Sequence, residues 1–308
     1  MSIIIIAPNR DLSQWITAFN KADENLDVSI WPETGHQLEI TCAVVWGHPA
    51  GSLTAFPNLK LICSMGAGVD HVLKDPELPD GVPIVRIVDD GLSFSMSNYV
   101  VSAVMYHHRR FDKYLADKSA HVWDPSSPSE VAVKIGIMGF GVLGQEAGKK
   151  LEALGFEVVG YSNSRKNVKG IKCFAGNKEL DAFLREINVL VCLLPATPDT
   201  KGMLNSKLFT KMNKGTFLIN AARGQHQVTN DIIDAIDNGT LSGAFLDVFE
   251  NEPLQKNHPV WDHPKVFITP HIASITNPDA AAPQIVANYK AMLAGLPLKN
   301  KIDRDRGY

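Results

Sequence analysis

An apolar run that ends in three spaced glycines constrains the fold of this chain more than any other feature. The run from Val133 to Met138 is typical of a strand buried on both faces of a sheet, and Gly139-Phe140-Gly141-Val142-Leu143-Gly144 follows it. Gly139 allows a tight turn, Gly141 lets a phosphate approach the backbone, and Gly144 lets a helix pack closely on the strand. Such a pattern alone is a weak signal, and a plain tight turn is the alternative.

The residues after these glycines favour a nucleotide-binding turn. Ala147, Leu151 and Leu154 recur at helical spacing before Gly155 closes the helix, and residues 157–161 form the next apolar run. We therefore predict a βαβ unit whose first helical N–H groups face the pyrophosphate of a dinucleotide. The cofactor contacts predicted in this turn are Gly139, Gly141, Val142, Leu143 and Gly144.

The segment after the second strand, Ser162-Asn163-Ser164-Arg165-Lys166, indicates which dinucleotide is bound. NAD sites usually carry a carboxylate there for the ribose 2′-hydroxyl, and this segment has none. Arg165 can clamp a 2′-phosphate through paired N–H donors, and Lys166 can meet it as a point charge. The sequence thus predicts NADPH (NADP) as the preferred cofactor over NADH, with a solvated basic loop as the alternative.

Strand and helix patterns alternate along the chain, and its length of 308 residues favours two domains. Before the glycine turn we predict strands at residues 3–7, 28–31, 42–46, 59–64 and 84–88, and a helix at 12–22. One long helix over 98–118 is expected to cross between the domains. Beyond the βαβ unit we predict strands at 189–194, 216–220, 243–248 and 266–268, and helices at 180–186, 206–212, 231–238 and 279–293. The last helix is expected to return to the first domain.

The predicted fold class is α/β, with two doubly wound parallel-sheet domains and a cleft between them. Residues 1–97 plus 275–308 are expected to form a flavodoxin-like substrate domain. Residues 98–274 are expected to form a Rossmann cofactor domain.

Composition limits the partners of the chain. A hydrophobic content of 45%, a charged content of 20% and a net charge of −3 offer no general attraction to nucleic acid or to a membrane surface, so we expect neither partner. Cys42, Cys63, Cys173 and Cys192 lie in or beside apolar runs without metal or redox spacing, so we interpret them as reduced core residues and expect no metal. Residues 2–7 are too short for a signal sequence, and we expect a cytoplasmic protein.

Three chemically active residues each follow a predicted strand: Arg223, Glu252 and His271. A hydride that reaches a carbonyl carbon leaves negative charge on oxygen, which must be stabilised and protonated. His271 can supply the proton, Glu252 can fix the ring tautomer and favour the imidazolium, and Arg223 can hold a substrate carboxylate. Singly, they could be a core histidine, a solvated carboxylate and a surface ion pair. Together, at successive strand ends, they favour reduction of a 2-oxo acid.

A loop of small residues, Met65-Gly66-Ala67-Gly68, follows a predicted strand end in the first domain. Ligands collect at such ends in open α/β sheets, and the backbone N–H groups could hold an anion. A plain turn is the alternative.

Taken in order, these motifs resemble the D-isomer-specific 2-hydroxyacid dehydrogenase family across essentially the whole chain. The motifs that carry the resemblance are Met65-Gly66-Ala67-Gly68-Val69-Asp70, the Gly139 turn, Ser162 to Lys166, Leu193-Leu194-Pro195, Ala222-Arg223-Gly224, Leu246 to Pro253, Pro270-His271-Ile272-Ala273 and the terminal Asp303-Arg304-Asp305-Arg306-Gly307-Tyr308.

The resemblance implies roles for further residues. It implies that Arg223, Glu252 and His271 are the catalytic set and that Trp46, Ala67 and Gly68, with Arg223 and His271, bind the substrate. The further cofactor contacts that it implies are Ser162, Asn163, Ser164, Arg165, Lys166, Leu194, Pro195, Ala221, Ala222, Asp247 and Ser274. It also implies a homodimer formed through the cofactor domains, with Trp123 on an arm that reaches a neighbouring subunit. Asn163 departs from the family pattern, in which relatives tend to carry another basic residue.

We therefore expect NADPH-dependent reduction of small 2-oxo acids, glyoxylate to glycolate and hydroxypyruvate to D-glycerate, with His271 as the proton donor. Two alternatives remain open on the sequence. One is a dehydrogenase of a bulkier D-2-hydroxy acid. The other is a non-catalytic NAD(P)-sensing protein resembling a corepressor, which rests on analogy of fold alone.

Overall fold

The computed structural model describes residues 2–8 and 10–304. The described residues fall into two compact units, one within Met1–Leu92 and Ile275–Tyr308 and the other within Ser93–Ser274. The first boundary predicted from the sequence, between residues 97 and 98, lies a few residues further along the chain. Residues 305–308 of the terminal motif, which entered both the resemblance and the predicted domain 275–308, lie outside the described residues.

Twelve strands and nine helices are assigned among the described residues. The strands are β1 Ser2–Ile6, β2 Val28–Ile30, β3 Ile40–Val45, β4 Leu61–Ser64, β5 Ile84–Val85, β6 Lys134–Met138, β7 Glu157–Ser162, β8 Lys172–Ala175, β9 Val189–Cys192, β10 Thr216–Asn220, β11 Leu241–Leu246 and β12 Val266–Ile268. The helices are α1 Ser13–Ala22, α2 Asp70–Leu73, α3 Asp90–His108, α4 Phe111–Ser119, α5 Val142–Ala153, α6 Asn177–Arg185, α7 Ser206–Phe209, α8 Thr229–Asp237 and α9 Pro278–Leu293.

The first unit contains a five-stranded parallel sheet in the order β2-β1-β3-β4-β5. This is the strand order of flavodoxin-like folds. Strand β1 shows why residues 3–6 are four consecutive isoleucines. Ile3 and Ile5 join a core on one face with residues of α1 and α9, whereas Ile4 and Ile6 join a core on the other face, and all four are fully buried. A strand covered on both sides needs apolar residues at every position.

The C-terminal helix α9 packs against α1 within the first unit. Ile285 and Tyr289 lie in the same core as Trp15 and Phe19 of α1. An ion pair of 2.7 Å between Lys290 Nζ and Asp23 Oδ2 lies at this contact. The N-cap residue Asn277 stabilises the start of the helix, because its side chain accepts a hydrogen bond from the backbone N–H of Asp279.

The second unit contains a seven-stranded parallel sheet in the order β12-β11-β10-β9-β6-β7-β8. Read from β8, the first six strands follow the Rossmann order 3-2-1-4-5-6, and the order reverses between β6 and β9. Apolar cores cover both faces of this sheet as well. The predicted fold class, two doubly wound parallel-sheet domains, is therefore confirmed.

One local prediction was wrong, and one strand was missed. The helix predicted over 98–118 is two helices, since α3 begins at Asp90 and ends at His108, and α4 begins at Phe111. Arg110 adopts a left-handed conformation with φ of 56°, which ends one helix and redirects the chain into the next. Strand β8, which extends the sheet beyond β7, was not predicted, because the run Lys172-Cys173-Phe174-Ala175 is short and shows no clear alternation.

All four cysteines are buried and free, as expected from their apolar surroundings. Burial raises the pKa of Cys192 to about 12, so this thiol stays protonated at neutral pH. Within residues 2–8 and 10–304, no helix has the length and apolar character needed to cross a bilayer.

Candidate active site

The three residues predicted to be catalytic follow three neighbouring strands. Asn220, Leu246 and Ile268, the last residues of β10, β11 and β12, are aligned across the sheet by its parallel register. The carboxyl ends of these strands therefore lie side by side at one edge, where ligands bind in open α/β sheets. Arg223, Glu252 and His271 lie in the segments that leave this edge.

Glu252 and His271 form a hydrogen-bonded pair. The Nδ1 atom of His271 lies 2.7 Å from Glu252 Oε2, and the second carboxylate oxygen accepts a 2.8 Å hydrogen bond from the backbone N–H of Phe249. Partial burial raises the pKa of Glu252, but the hydrogen bonds from His271 and Phe249 and the charge of Arg223 outweigh it, so the pKa is lowered overall. Glu252 is therefore a carboxylate at neutral pH and orients the histidine ring.

Asp247 is the buried carboxylate that shapes the His271 loop. Its Oδ1 accepts hydrogen bonds from Thr269 Oγ1 at 2.6 Å and from the backbone N–H of Ile272 at 2.8 Å, and its Oδ2 accepts one from Ala273 N at 2.9 Å. Its carbonyl oxygen accepts the backbone N–H of His271 at 2.8 Å. These bonds hold His271 in a left-handed conformation, with φ of 55°, that a histidine rarely adopts.

Arg223 lies on a short turn with a fixed backbone. Its Nη1 donates a 2.7 Å hydrogen bond to the carbonyl of Ala222, and the side-chain amide of the buried Asn220 donates to the Arg223 carbonyl at 3.2 Å. Gly224 is required here, since a Cβ atom would lie 1.8 Å from the carbonyl carbon of Phe249. The turn thus lies directly against the segment that leads to Glu252.

The glycine turn after β6 has the form predicted for a dinucleotide site. Gly139 has φ of +100°, and a Cβ atom there would lie 2.4 Å from the backbone of Leu193. A Cβ on Gly144 would lie 2.5 Å from the carbonyl oxygen of Gly139. Gly141, in contrast, is exposed and has open space around its missing Cβ. The fold itself therefore requires Gly139 and Gly144, whereas a glycine at 141 fits the close approach of a ligand to the N-terminus of α5.

The loop after β7 presents the two predicted cations in different surroundings. The guanidinium of Arg165 donates a 2.7 Å hydrogen bond to the carbonyl of Cys173 and also forms an ion pair with Glu179. The Nζ atom of Lys166 lies 3.1 Å from Ser164 Oγ. The hydroxyl of Ser162 donates a 2.8 Å hydrogen bond to the carbonyl of Ser164. Arg165 thus already has protein partners, although its side chain is 59% exposed. Asn163 is exposed on the same loop.

The remaining predicted cofactor residues also follow strand ends of this sheet. Leu194 and Pro195 follow β9, and Ala221 and Ala222 follow β10 and are buried. Ser274 follows the His271 loop, at the end of the second unit. Val142 and Leu143 begin α5.

In the first unit, Trp46 lies against the predicted anion-binding loop. A Cβ on Gly66 would lie 2.7 Å from the Trp46 ring, so the loop packs directly on the indole. The guanidinium of Arg10 lies 4.6 Å from the Trp46 ring centroid, and Arg86 Nη1 donates to the carbonyl of Ala67 at 3.5 Å. Ala67 and Gly68 are partly exposed. Neither Arg10 nor Arg86 was predicted to belong to this site, because each lies well away from the loop along the chain.

Two further features of the second unit bear on the predictions. The ring of His226 is fully buried. His226 was not among the predicted functional residues, although its position three residues after Arg223 was a signal that could have identified it. Trp123 is 94% exposed, and its predicted reach toward a neighbouring subunit stays a prediction.

Across the described part of the chain, no group of three or more His, Cys, Asp or Glu side chains could hold a metal ion.

The Rossmann sheet, the glycine turn and the paired Glu252 and His271 beside Arg223 define an NAD(P)-dependent oxidoreductase of 2-hydroxy and 2-oxo acids. Residues 101–273 match the family model for the D-isomer specific 2-hydroxyacid dehydrogenase, NAD binding domain. The chain belongs to the D-isomer specific 2-hydroxyacid dehydrogenase family, which confirms the resemblance inferred from its motifs.

Three relatives illustrate the similarity. The chain is 39% identical to glyoxylate/hydroxypyruvate reductase A of Yersinia enterocolitica over the full length of both proteins. It is 39% identical to the NADPH-dependent glyoxylate/hydroxypyruvate reductase of Sinorhizobium meliloti solved with NADP and sulfate, with a TM-score of 0.93 and full coverage of both chains. A family member from Xanthobacter autotrophicus solved with NADPH and MES is 36% identical, with a TM-score of 0.93 over 100% of this chain and 99% of that one. Within the family, the motifs also resemble glyoxylate/hydroxypyruvate reductase A in particular, and this narrower resemblance is confirmed.

Proposed function

We propose that this chain is an NADPH-dependent reductase of small 2-oxo acids, with glyoxylate and hydroxypyruvate as its substrates. The observation that carries the proposal is the 2.7 Å pair between His271 and Glu252, held beside Arg223 at adjoining strand ends. This set provides a proton donor, a group that orients the donor, and a cation for an anionic substrate. Names of similar proteins support the choice of substrates.

His271 supplies the proton in this mechanism. Glu252 binds Nδ1–H, which leaves Nε2–H to donate a proton to the carbonyl oxygen of the substrate. Because Glu252 stays ionised, it also stabilises the imidazolium form that must exist before transfer. The products are glycolate from glyoxylate and D-glycerate from hydroxypyruvate.

Arg223 binds the substrate carboxylate and polarises the carbonyl group through its forked donors. In the first unit, the N–H groups of Ala67 and Gly68 and the ring of Trp46 contribute further substrate contacts. Arg10 over the Trp46 ring and Arg86 at the Ala67 carbonyl make this surface favourable for an anion.

NADPH is the proposed cofactor, bound by the turn Gly139 to Gly144 and by Ser162 to Lys166. When bound, the reduced nicotinamide supplies the hydride. The absence of a carboxylate in this loop and the presence of Arg165 and Lys166 support preference for the 2′-phosphate. The structure of a similar protein with NADPH agrees with this choice. A homodimer formed through the second unit and a cytoplasmic location stay predictions.

The test is steady-state oxidation of NADPH and NADH with a panel of 2-oxo acids of increasing size. We expect the highest kcat/KM with glyoxylate and hydroxypyruvate and with NADPH. His271→Ala should lower kcat by about 10²- to 10⁴-fold with little change in the Kd for NADPH.

Each other outcome contradicts a definite part of the proposal. Wild-type kcat in His271→Ala would remove His271 from the mechanism. Comparable kcat/KM with both dinucleotides would contradict the cofactor preference. Preference for bulky acids would indicate a different dehydrogenase, and tight NADPH binding without turnover on any acid would indicate a sensor.

A further inference from the structure

His226 is a buried histidine that joins two loops of the candidate site. It ends the short helical turn Gly224–His226 that follows Arg223, and it is 0% exposed. Its Nδ1 lies 3.2 Å from the backbone nitrogen of Arg223. Its Nε2 lies 3.1 Å from the carbonyl oxygen of Pro195, which belongs to the loop after β9.

The surrounding hydrogen bonds define the state of the ring. The Pro195 carbonyl can only accept, so Nε2 carries a hydrogen and donates to it. The backbone N–H of Arg223 can only donate, so Nδ1 must be unprotonated to accept it. Nδ1 also lies 3.1 Å from the Arg223 carbonyl, but this oxygen already accepts hydrogen bonds from the backbone of His226 and from the side chain of Asn220. The neutral Nε2–H tautomer therefore fits both loops at once.

The backbone of Arg223 in turn determines where its guanidinium lies. Nη1 is bonded at 2.7 Å to the carbonyl of the preceding residue, Ala222, so the side chain folds against its own main chain. The next residue, Gly224, is fixed against the backbone of Phe249, where no Cβ would fit. The Ala222 carbonyl and the Arg223 N–H belong to the same peptide group. A rotation of this group would therefore break the contact with His226 and displace the carbonyl that holds the guanidinium.

We infer that His226 is a positioning residue, whose Nδ1 fixes the backbone of Arg223 while the bond from Nε2 to Pro195 holds the ring in the tautomer that can accept. This inference deepens the proposed function and rests on it, because the purpose of the fixed backbone is to aim the guanidinium at the substrate carboxylate. Misplacement of such a group by about 1 Å costs roughly 10²-fold in rate.

Two substitutions distinguish the roles of the two ring nitrogens of His226. His226→Asn places an oxygen near the Nδ1 position and retains an acceptor for the Arg223 N–H. His226→Gln places an amide nitrogen near the Nε2 position and retains only the donor to Pro195. We expect His226→Gln to lower kcat/KM for glyoxylate roughly 10- to 100-fold at saturating NADPH, and His226→Asn to stay within about threefold of wild type. The Kd for NADPH should change by less than about threefold in both variants.

Gln225→Ala is the matched control, because this residue lies in the same turn and has no role in the proposed site. It should leave kcat/KM unchanged. A double-mutant cycle with Arg223→Lys asks whether His226 acts through Arg223. We expect His226→Gln to cause little further loss in the Arg223→Lys background. An equal loss in both backgrounds, or equal activity of His226→Asn and His226→Gln, would overturn the inference.

A readout without turnover distinguishes failure of this inference from failure of the proposed function. In protein labelled with ¹⁵N-histidine, with His226→Gln used for assignment, the His226 ring should show a protonated Nε2 and an unprotonated Nδ1 at neutral pH. The Arg223 amide should exchange with solvent slowly in wild type and His226→Asn and faster in His226→Gln. A protonated Nδ1, or equal exchange in all three proteins, would overturn the role of His226. If the wild-type protein consumed no NADPH with any 2-oxo acid, the proposed function would be overturned. The claim that His226 aims Arg223 at a substrate would then fall as well.

Discussion

At the scale of single residues, the chemistry depends on side chains that are held by backbone atoms far away in the sequence. His271 adopts a left-handed conformation because Asp247, at the end of another strand, binds the backbone on both sides of it. Glu252 is oriented by the N–H group of Phe249 as well as by the histidine. The ring is therefore fixed before any substrate arrives, and little reorganisation is needed during proton transfer.

Glu252→Gln tests the orienting carboxylate. The amide keeps the shape of the side chain but removes the charge that favours the imidazolium, so we expect kcat to fall by about 10²- to 10⁴-fold. Glu250→Gln is the matched control, since Glu250 is an exposed carboxylate in the same segment. Both variants are compared by steady-state kinetics with glyoxylate and NADPH. Similar kcat values for the two variants would show that Glu252 does not assist His271.

His107 makes the folded state sensitive to acid. Its ring stacks on Phe217, with 4.1 Å between ring centroids, and burial lowers the pKa of His107 to about 4. In the unfolded chain a histidine has a pKa of about 6.5. As the pH falls below about 6.5, the unfolded state binds the proton first, so stability is lost until the pH approaches the folded value of about 4.

The expected loss from this residue is about 2 kcal/mol between pH 7 and pH 5. His107→Phe keeps an aromatic ring for the stack and removes the titrating group. Urea denaturation at both pH values should therefore show a smaller acid loss for the variant than for wild type. An equal loss in both proteins would mean that His107 takes up its proton in the folded state as readily as in the unfolded one.

At the scale of elements, the turn between β6 and α5 combines two kinds of glycine. Gly139 has a conformation and a close backbone contact that exclude a Cβ atom, whereas Gly141 has neither. The first is a requirement of the fold. Gly141 is not required by the fold, so its lack of a side chain is better explained by the close approach of the ligand that the turn is proposed to bind.

Alanine substitutions separate these two roles. Gly139→Ala should destabilise the protein by about 2 kcal/mol or more, because it introduces strain and a clash with Leu193. Gly141→Ala should leave the free energy of unfolding within about 0.5 kcal/mol of wild type but raise the Kd for NADPH about 10-fold or more. Thermal unfolding and fluorescence titration with NADPH measure the two effects. Unchanged NADPH affinity in Gly141→Ala would argue against pyrophosphate binding at this turn.

Elements also show where periodicity fails as a guide. The segment 98–118 has apolar residues at helical spacing, yet it contains the end of α3, a left-handed Arg110 and most of α4. A single residue with positive φ interrupts a helix without altering the apolar pattern on either side. Strand β8 escaped prediction because a short edge strand owes its structure to pairing with β7 rather than to its own residues.

At the scale of the whole molecule, each unit has its own parallel sheet with apolar cores on both faces. The second unit is continuous in sequence over Ser93–Ser274, whereas the first combines both ends of the chain. A continuous segment with a complete core can fold without the rest of the chain. The proposed cofactor contacts all lie in the second unit.

We therefore expect a fragment of residues 90–274, which keeps α3 complete, to unfold cooperatively and to bind NADPH within about 10-fold of the full chain. It should not reduce glyoxylate, since the proposed contacts from Trp46, Ala67 and Gly68 are absent. Circular dichroism on heating and NADPH titration measure folding and binding. A fragment without a cooperative transition would show that the second unit needs the first to fold.

The sequence by itself determined the class of fold, the glycine turn and the residue types of the site. It could do so because burial on both faces of a parallel sheet leaves continuous apolar runs, and because functional residues in such sheets follow strand ends. Arg223, Glu252 and His271 could be predicted in this way from three separate runs. The family followed from the same motifs.

Only the tertiary structure decided how these residues are held. The ring of His226 contacts a carbonyl 31 positions earlier, Asp247 binds backbone groups 25 and 26 positions later, and Arg165 pairs with Glu179. Periodicity records which face of an element is buried, but it contains no information on which distant carbonyl or N–H group a polar side chain meets. Those contacts depend on how loops from different strands come together at the edge of the sheet, and this is set by the packing of the whole unit.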